Sequence, residues 1–489
     1  MNSLFSTKSV DSLVAEASGS SSGLKKVLGA FDVTMVGIGA IIGAGIFAMI
    51  GEAAVGGASG FSAGPSLVIS FIVTSVACGL TALCYAEFAA MVPVSGSAYT
   101  YAYATMGELV AWIIGWDLII EYAIGNVAVA ISWSGYFNDL LKTTVGLDIP
   151  MWMRTDYRTF LQKGLDIATV PHVLGVPIIL NLPAVAVVMG ITAILVKGVK
   201  ESTTFNNIMV GFKLLVLALF VAVGIYYFDP KNWVPFAPGG WKGIQVGAAT
   251  IFFAYIGFDA VSTVAEETKN PQKDMPKGII GSLIICTVIY ILVTIALTGM
   301  IPLADLKAKV SEPLVAGLQY NHAAAWMVML VSLGAVVANT AVLLVFQMGQ
   351  PRIFYAMSRD GLLPQSFAKI HPKYKTPHVT TIWTGVAVAV LSAFCNIDEM
   401  VNLCNIGTLF AFILVCGGIM ILRVREPNRP RQFRVPGGHI VPVLGIAFCL
   451  YLMAGLNRIT WIGFTIWLII GLVFYSLYGY KHSVLRQTK

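Results

Sequence analysis

Apolar residues run along this chain in blocks of about twenty, set apart by short polar stretches, and the blocks recur twelve times. A helix needs roughly 20 residues to cross the hydrocarbon of a bilayer, so the pattern predicts twelve membrane-spanning helices. They fall at 31–55, 66–92, 107–137, 181–199, 204–227, 244–265, 278–302, 323–356, 380–398, 402–424, 438–456 and 460–480. Two blocks carry interruptions. In "VGIGAIIGAGIF", residues 36–47, Gly37, Gly39, Gly43 and Gly45 sit in an uncharged run, although each interior glycine disfavours a helix by about 1 kcal/mol against alanine. In "ATIFFAYIGFDAVSTVAEE", residues 249–267, the apolar run reaches Ile256 and Gly257, then takes Asp259 and closes on Glu266 and Glu267.

The first glycine run has three readings. A dinucleotide fingerprint needs G-x-G-x-x-G, but Gly37, Gly39 and Gly43 leave one residue too many in the second gap, and no strand precedes them. Gly39 and Gly43 form a GxxxG that lets two membrane helices pack closely. The third reading is a break at Gly43-Ala44-Gly45, where unwound backbone offers N–H and C=O groups to a ligand near the midplane. The interruption in the sixth span favours the break, since breaks in spans one and six are what a five-plus-five inverted repeat produces. On this reading Gly43 and Gly45 let the chain leave helical geometry. The freed N–H groups, at the positive end of a half-helix, receive a carboxylate. Carbonyls freed near Phe253, Ala254 and Ile256 accept hydrogen bonds from an ammonium, so the pair of breaks is complementary to an amino acid zwitterion. Valine at 43 or 45 is then expected to abolish binding, and valine at 39 to disturb packing.

Composition fixes the class. Of the 489 residues 57% are hydrophobic and 11% charged, where soluble domains carry about 25% charged, so the chain is an all-α membrane protein. Placing both termini in the cytoplasm assigns 21 of the 31 Lys and Arg residues to the inner face, nine to outer loops and Lys213 to a span. That asymmetry obeys the positive-inside rule. The net charge of +7 is therefore an orientation signal in a plasma (bacterial inner) membrane, with lipid as the surrounding partner and no nucleic acid required. The seven cysteines show no C-x-x-C, and neither H-E-x-x-H nor the dipeptide Gly-Lys occurs. No disulfide framework, metal site or Walker loop is expected, nor a cofactor, nor enzyme activity. The first thirty residues are polar and lack a signal-peptide core. Nothing sets an oligomeric state, and a monomer would suffice.

Carboxylates inside spans are functional candidates by default. Asp117 and Glu121 lie four apart, on one face of the third span. Glu121 is a candidate to meet the side chain of a cationic substrate, or equally to bond another helix. Asp259 and Glu266 read as interface or gating groups, Glu87 as an organiser of the inner end of the second span, and Cys404 and Asn405 as further candidates for the pocket wall.

The stretches "GIGAIIGAGIF", "FFAYIGFDAVSTVAEETKNPQKDMP" and "GQPRIFYAMSRDGLLP", the last at 349–364, resemble the amino acid–polyamine–organocation superfamily, most closely the bacterial form of its cationic amino acid transporter branch. The resemblance covers about residues 26 to 484. It implies a leucine-transporter-type fold with a cytoplasmic segment 1–30, a first repeat 31–227, a second repeat 244–424, two further helices within 438–480 and a tail 481–489. It further implies secondary active transport of an L-amino acid by alternating access. Ile41, Gly43, Ala44, Gly45 and Ile46 would contact the substrate's backbone groups together with Phe253, Ala254 and Ile256, and Phe253 would double as the gate.

The family name points to cationic substrates, while the single candidate carboxylate, Glu121, leaves small neutral side chains equally open. Rival functions are an amino acid/polyamine exchanger, a receptor and a channel, although no pore-lining charge ring supports the last. Lys213 lies about 13 Å into the fifth span, where a lysine can carry a coupling proton or snorkel to the interface. The resemblance puts a lysine at this point between the first and eighth helices. The eighth span offers a sodium ion only Asn339 and Thr340, so a proton is the expected coupling ion.

Overall fold

The structure is a computed structural model and describes residues 4–9, 27–91, 97–198 and 203–487. Lys25, Lys26, Lys200, most of the segment assigned to 1–30 and the last residues of the tail lie outside the described residues. The apolar blocks fold as helices because, in hydrocarbon, each N–H and C=O must find its partner within the segment.

The first block is divided into α1 (Ala30–Ile41) and α2 (Gly45–Val55), bent by 44°. There follow α3 (Leu67–Met91), α4 (Ser97–Thr105), α5 (Glu108–Val145), α6 (Leu182–Lys197) and α7 (Thr203–Tyr226). The sixth block gives α8 (Gly240–Ile251), a tight 3-10 turn Phe252–Tyr255 and, past a second break, a 3-10 helix Asp259–Glu267. The remainder is α9 (Pro271–Met300), α10 (Leu303–Ala308), α11 (Pro313–Tyr320), α12 (Ala325–Arg359), α13 (His378–Phe394), α14 (Ile397–Arg425), α15 (Ile440–Met453) and α16 (Arg458–Phe474). Among the described residues, eight helical runs are long and apolar enough to cross a membrane, nine with the bent pair. α6, α13 and α15 are apolar but shorter, at 16, 17 and 14 residues.

Most spans match the hydropathy reading to a few residues, and the differences have plain causes. α5 runs on to Val145 rather than 137, because its polar last turns stay helical after the apolar face ends. α9 begins at Pro271 rather than 278, with proline in the first turn, where its missing N–H costs nothing. α4, α10 and α11 carry no apolar block and were invisible to hydropathy.

α9 lies along α1 and α3, α12 along α5, and α13 along α6, while α7 touches α1, α9 and α12. Small residues bring the axes together, as at Gly334, where a Cβ would fall 2.6 Å from Val216 Cγ1. The outward surface stays apolar, with Leu215, Ile284, Val288 and Ile466 exposed, as a surface facing lipid must be. At the end where residues 4–9 and 484–487 pack, charged groups are buried in pairs. Glu87 on α3 meets Arg423 and Arg431 and accepts the Val435 N–H at 2.7 Å. Lys8 meets Asp360 at 2.7 Å. Glu108 at the start of α5 accepts from the Tyr475 hydroxyl at 2.8 Å and pairs with Arg486 at 3.0 Å.

Candidate functional site

The two breaks touch each other in the middle of the helical bundle. α1 ends at Ile42, whose backbone is extended at φ −77° and ψ 101°, and helical geometry resumes at Ala44. A helix end leaves its last four carbonyls without intrahelical donors, here those of Gly39, Ala40, Ile41 and Ile42. Lys213 Nζ, fully buried on α7, donates to Gly39 O at 2.9 Å and to Ile42 O at 3.2 Å. The Tyr290 hydroxyl on α9 reaches Ile41 O at 3.1 Å. Ala40 O faces the Cα of Gly257, where a Cβ would come within 2.8 Å.

The two glycines of the first break differ. Gly43 lies with the extended Ile42 in the short bend between the half-helices, as expected, whereas Gly45 is already helical, so for it the expectation that it leaves helical geometry is overturned. Both also make room. A Cβ on Gly43 would lie 2.7 Å from Val342 Cγ2, and one on Gly45 would lie 2.2 Å from the Ala254 Cα. Gly39 likewise admits Val210 and Asn206 of α7. Close approach, the property behind GxxxG, thus holds at all three positions, and at Gly45 the backbone approached is the second break itself.

The second break is built differently. Ile256 is extended, at φ −61° and ψ 135°, and Gly257 follows at φ +117°, a region that side chains disfavour. The Gly257 N–H reaches Asp259 Oδ1 at 3.3 Å. Asn405 Nδ2 on α14 caps the end of α8, donating to Ala249 O at 2.8 Å and Thr250 O at 3.3 Å.

Between the breaks lies a small pocket, with a cavity volume of about 10 Å³. Its walls are Ala40, Ile41, Gly43, Ala44 and Gly45 from the first break, Phe253 and Ile256 from the second, Val129 of α5, and Val342 and Phe346 of α12. Ile46 is buried behind this lining, and Ala254 meets it through its contact with Gly45. Phe253, 5% exposed, forms part of the wall.

No charged side chain lines the pocket. Glu121 is buried outside the lining, on the side of the Asp259 carboxyl. Asp259, read from the sequence as an interface group, is fully buried. Asp117, one turn from Glu121, is buried with both carboxyl oxygens unpartnered. Cys404 Sγ reaches Glu121 O at 3.5 Å. Sequence reasoning gave no role to Tyr290, and only a nominal one to Asn405. Their signal is a polar group inside an apolar helix, which recurs too often to single them out.

Interrupted helices that meet in mid-bundle beside a small pocket fit a carrier for a small solute. The comparisons agree. Residues 28–475 match the amino acid permease family, and the chain belongs to it, as a membrane transporter. It is 48% identical to the branched-chain amino acid permease of Bacillus subtilis over 99% of both chains. It is 44% identical to the methylthioribose transporter of the same organism over the full length of each. It is 36% identical to the vacuolar cationic amino acid transporter 4 of Arabidopsis thaliana, over 88% of this chain and 68% of that one. These relatives are permeases and transporters by name, not enzymes.

Proposed function

We propose that this protein imports L-amino acids with small or branched apolar side chains, coupled to protons. The breaks supply acceptors for an amine and, at the start of α2, N–H groups for a carboxylate. The side chains around them, Val129, Phe253, Ile256, Val342 and Phe346, are all apolar. A cationic substrate would need a carboxylate in that wall, and Glu121 lies outside it. The similarity to a branched-chain permease supports the same class. A sugar thioether, the substrate named for the methylthioribose transporter, would find no polar side chain there for its hydroxyls.

The observation that carries the coupling is the grip of Lys213 on the first break. Among the described residues its hydrogen-bond partners are Gly39 O and Ile42 O, with no carboxylate. Charge-assisted hydrogen bonds are roughly twice as strong as neutral ones, so loss of the proton would loosen the end of α1. On this reading Lys213 carries the coupling proton, Phe253 gates the pocket, and twelve spans form two inverted repeats, 31–227 and 244–424, with both termini cytoplasmic.

The test is a thermal-shift panel of the twenty amino acids and methylthioribose on purified protein, followed by uptake into proteoliposomes under an imposed pH gradient in sodium-free buffer. Leucine, isoleucine, valine or alanine should stabilise the protein and be concentrated. Stabilisation by arginine or lysine alone would sink the apolar class, and uptake indifferent to the pH gradient would sink proton coupling.

A further inference from the structure

Tyr290 stands where the two breaks meet. It lies in the second half of α9, fully buried, with its ring 5.5 Å from that of Phe71 on α3 and 5.5 Å from that of Tyr255. Its hydroxyl reaches Ile41 O at 3.1 Å and Ala254 O at 2.8 Å. The first carbonyl is a freed end of α1, and the second belongs to the turn that precedes the second break. Two chain segments far apart in sequence thus converge on one oxygen atom.

A hydroxyl owns a single proton. Two carbonyls share it, so one of them is always short of a donor, and a buried acceptor left short is costly. An ammonium brings three donors, and one bound beside this pair would supply what the hydroxyl cannot.

We propose that Tyr290 is a positioning residue for the substrate's α-amine. Its hydroxyl holds the carbonyls of Ile41 and Ala254 at one spacing and leaves them with acceptor capacity that the amine completes. The inference deepens the reading of the breaks as an amino acid site and rests on it. It also separates the duties of two groups on α1. Lys213 grips Gly39 and Ile42 from α7 with a charge, while Tyr290 grips Ile41 from α9 without one.

Tyr290→Phe tests it, because the ring and its packing remain and only the hydroxyl goes. The probes are the amino acid that most stabilises the wild-type full-length protein and its des-amino analogue, which keeps the carboxylate and the side chain. Both are titrated by competition against labelled substrate, and the unliganded melting temperature is measured alongside. The variant should bind the amino acid about fivefold more weakly while its affinity for the analogue stays unchanged, so that the discrimination between them shrinks. Equal weakening of both ligands overturns the proposal, because a merely structural hydroxyl acts on both. An unchanged ratio overturns it too, and so does a variant that fails to fold. A wild type that responds to none of the twenty amino acids refutes the amino acid reading itself, and this proposal with it.

Discussion

At the first break the chain leaves the helix through Ile42, in an extended conformation open to any residue, whereas at the second it passes through Gly257 at φ +117°. Both breaks need glycine for room, and only the second needs it for a left-handed angle as well. The freed carbonyls are served differently as well. Those of the first break are held by a lysine and a tyrosine from two other helices, those at the end of α8 by the neutral amide of Asn405. A change of charge on Lys213 acts on the carbonyls of the first break, while at the second the charged group is Asp259, which accepts the Gly257 N–H. Under the proposed mechanism the proton acts on α1, and the second break follows because Gly45 and Ala254 are in contact.

The largest effect should come from filling that contact. Gly45→Ala puts a methyl group 2.2 Å from the Ala254 Cα, and overpacking of this kind costs about 1–3 kcal/mol. It is expected to abolish the thermal shift with substrate while circular dichroism stays helical. Gly257→Ala strains a backbone angle, at a cost of about 1–3 kcal/mol, and should lower the melting temperature more than it weakens binding. Normal binding by Gly45→Ala would mean that the breaks need not touch for the site to work.

Lys213→Met comes next. It should concentrate substrate at least tenfold less under an imposed pH gradient, about 1.4 kcal/mol in equilibrium terms, while counterflow exchange persists. Concentration with wild-type pH dependence would show that the charge of Lys213 is structural and that the two breaks do not differ in the way described.

Asn405→Leu removes the donors to Ala249 O and Thr250 O, and an unmade buried hydrogen bond costs about 1–3 kcal/mol. The melting temperature should fall with little change in pH dependence, in contrast to Lys213→Met. An unchanged melting temperature would remove Asn405 as the support of the second break.

The smallest effect concerns the loop that presses on α2. Glu312, just before α11, lies with Oε1 at the site a Cβ on Gly135 would occupy. Burial, with Asp139 adding to it, pushes its carboxyl up to about 7, against the pull of Lys163, Arg154 and Lys309. The folded protein thus holds this proton more tightly than the unfolded chain. The resulting stability is fully present below pH about 4.5 and is lost as the pH rises through about 7. Melting temperature against pH should be flatter in Glu312→Gln than in wild type over that window, and parallel curves would refute the assignment.

Much of this was legible in the sequence. The spans follow from hydropathy, and both breaks were placed by glycines and by a charge inside apolar runs. Lys213 was legible as a lysine deep in a span, with a coupling proton and snorkelling both open, and it lies on the carbonyls of the first break. Gly43 was legible in the bend of the first break, whereas the extended Ile42 was not, because it looks like any other apolar residue. The nearness of Glu121 to Asp259 and the bridge made by Tyr290 join distant segments, and local periodicity holds no trace of such contacts. The short helices α4, α10 and α11 escaped for the opposite reason, since at six to nine residues each is too short to form a spanning apolar block.

The buried clasp around Glu108 bears on how the chain is made. α5 leaves the ribosome well before residues 475–486 exist, and among the described residues the Glu108 carboxyl has one side-chain partner close in sequence, the Tyr103 hydroxyl at 3.3 Å. The enclosure of this carboxylate by Tyr475 and Arg486 must therefore wait for the end of the chain. A reporter or affinity tag fused directly after residue 487 would be drawn against that closure, so an expression design should set a flexible linker between them.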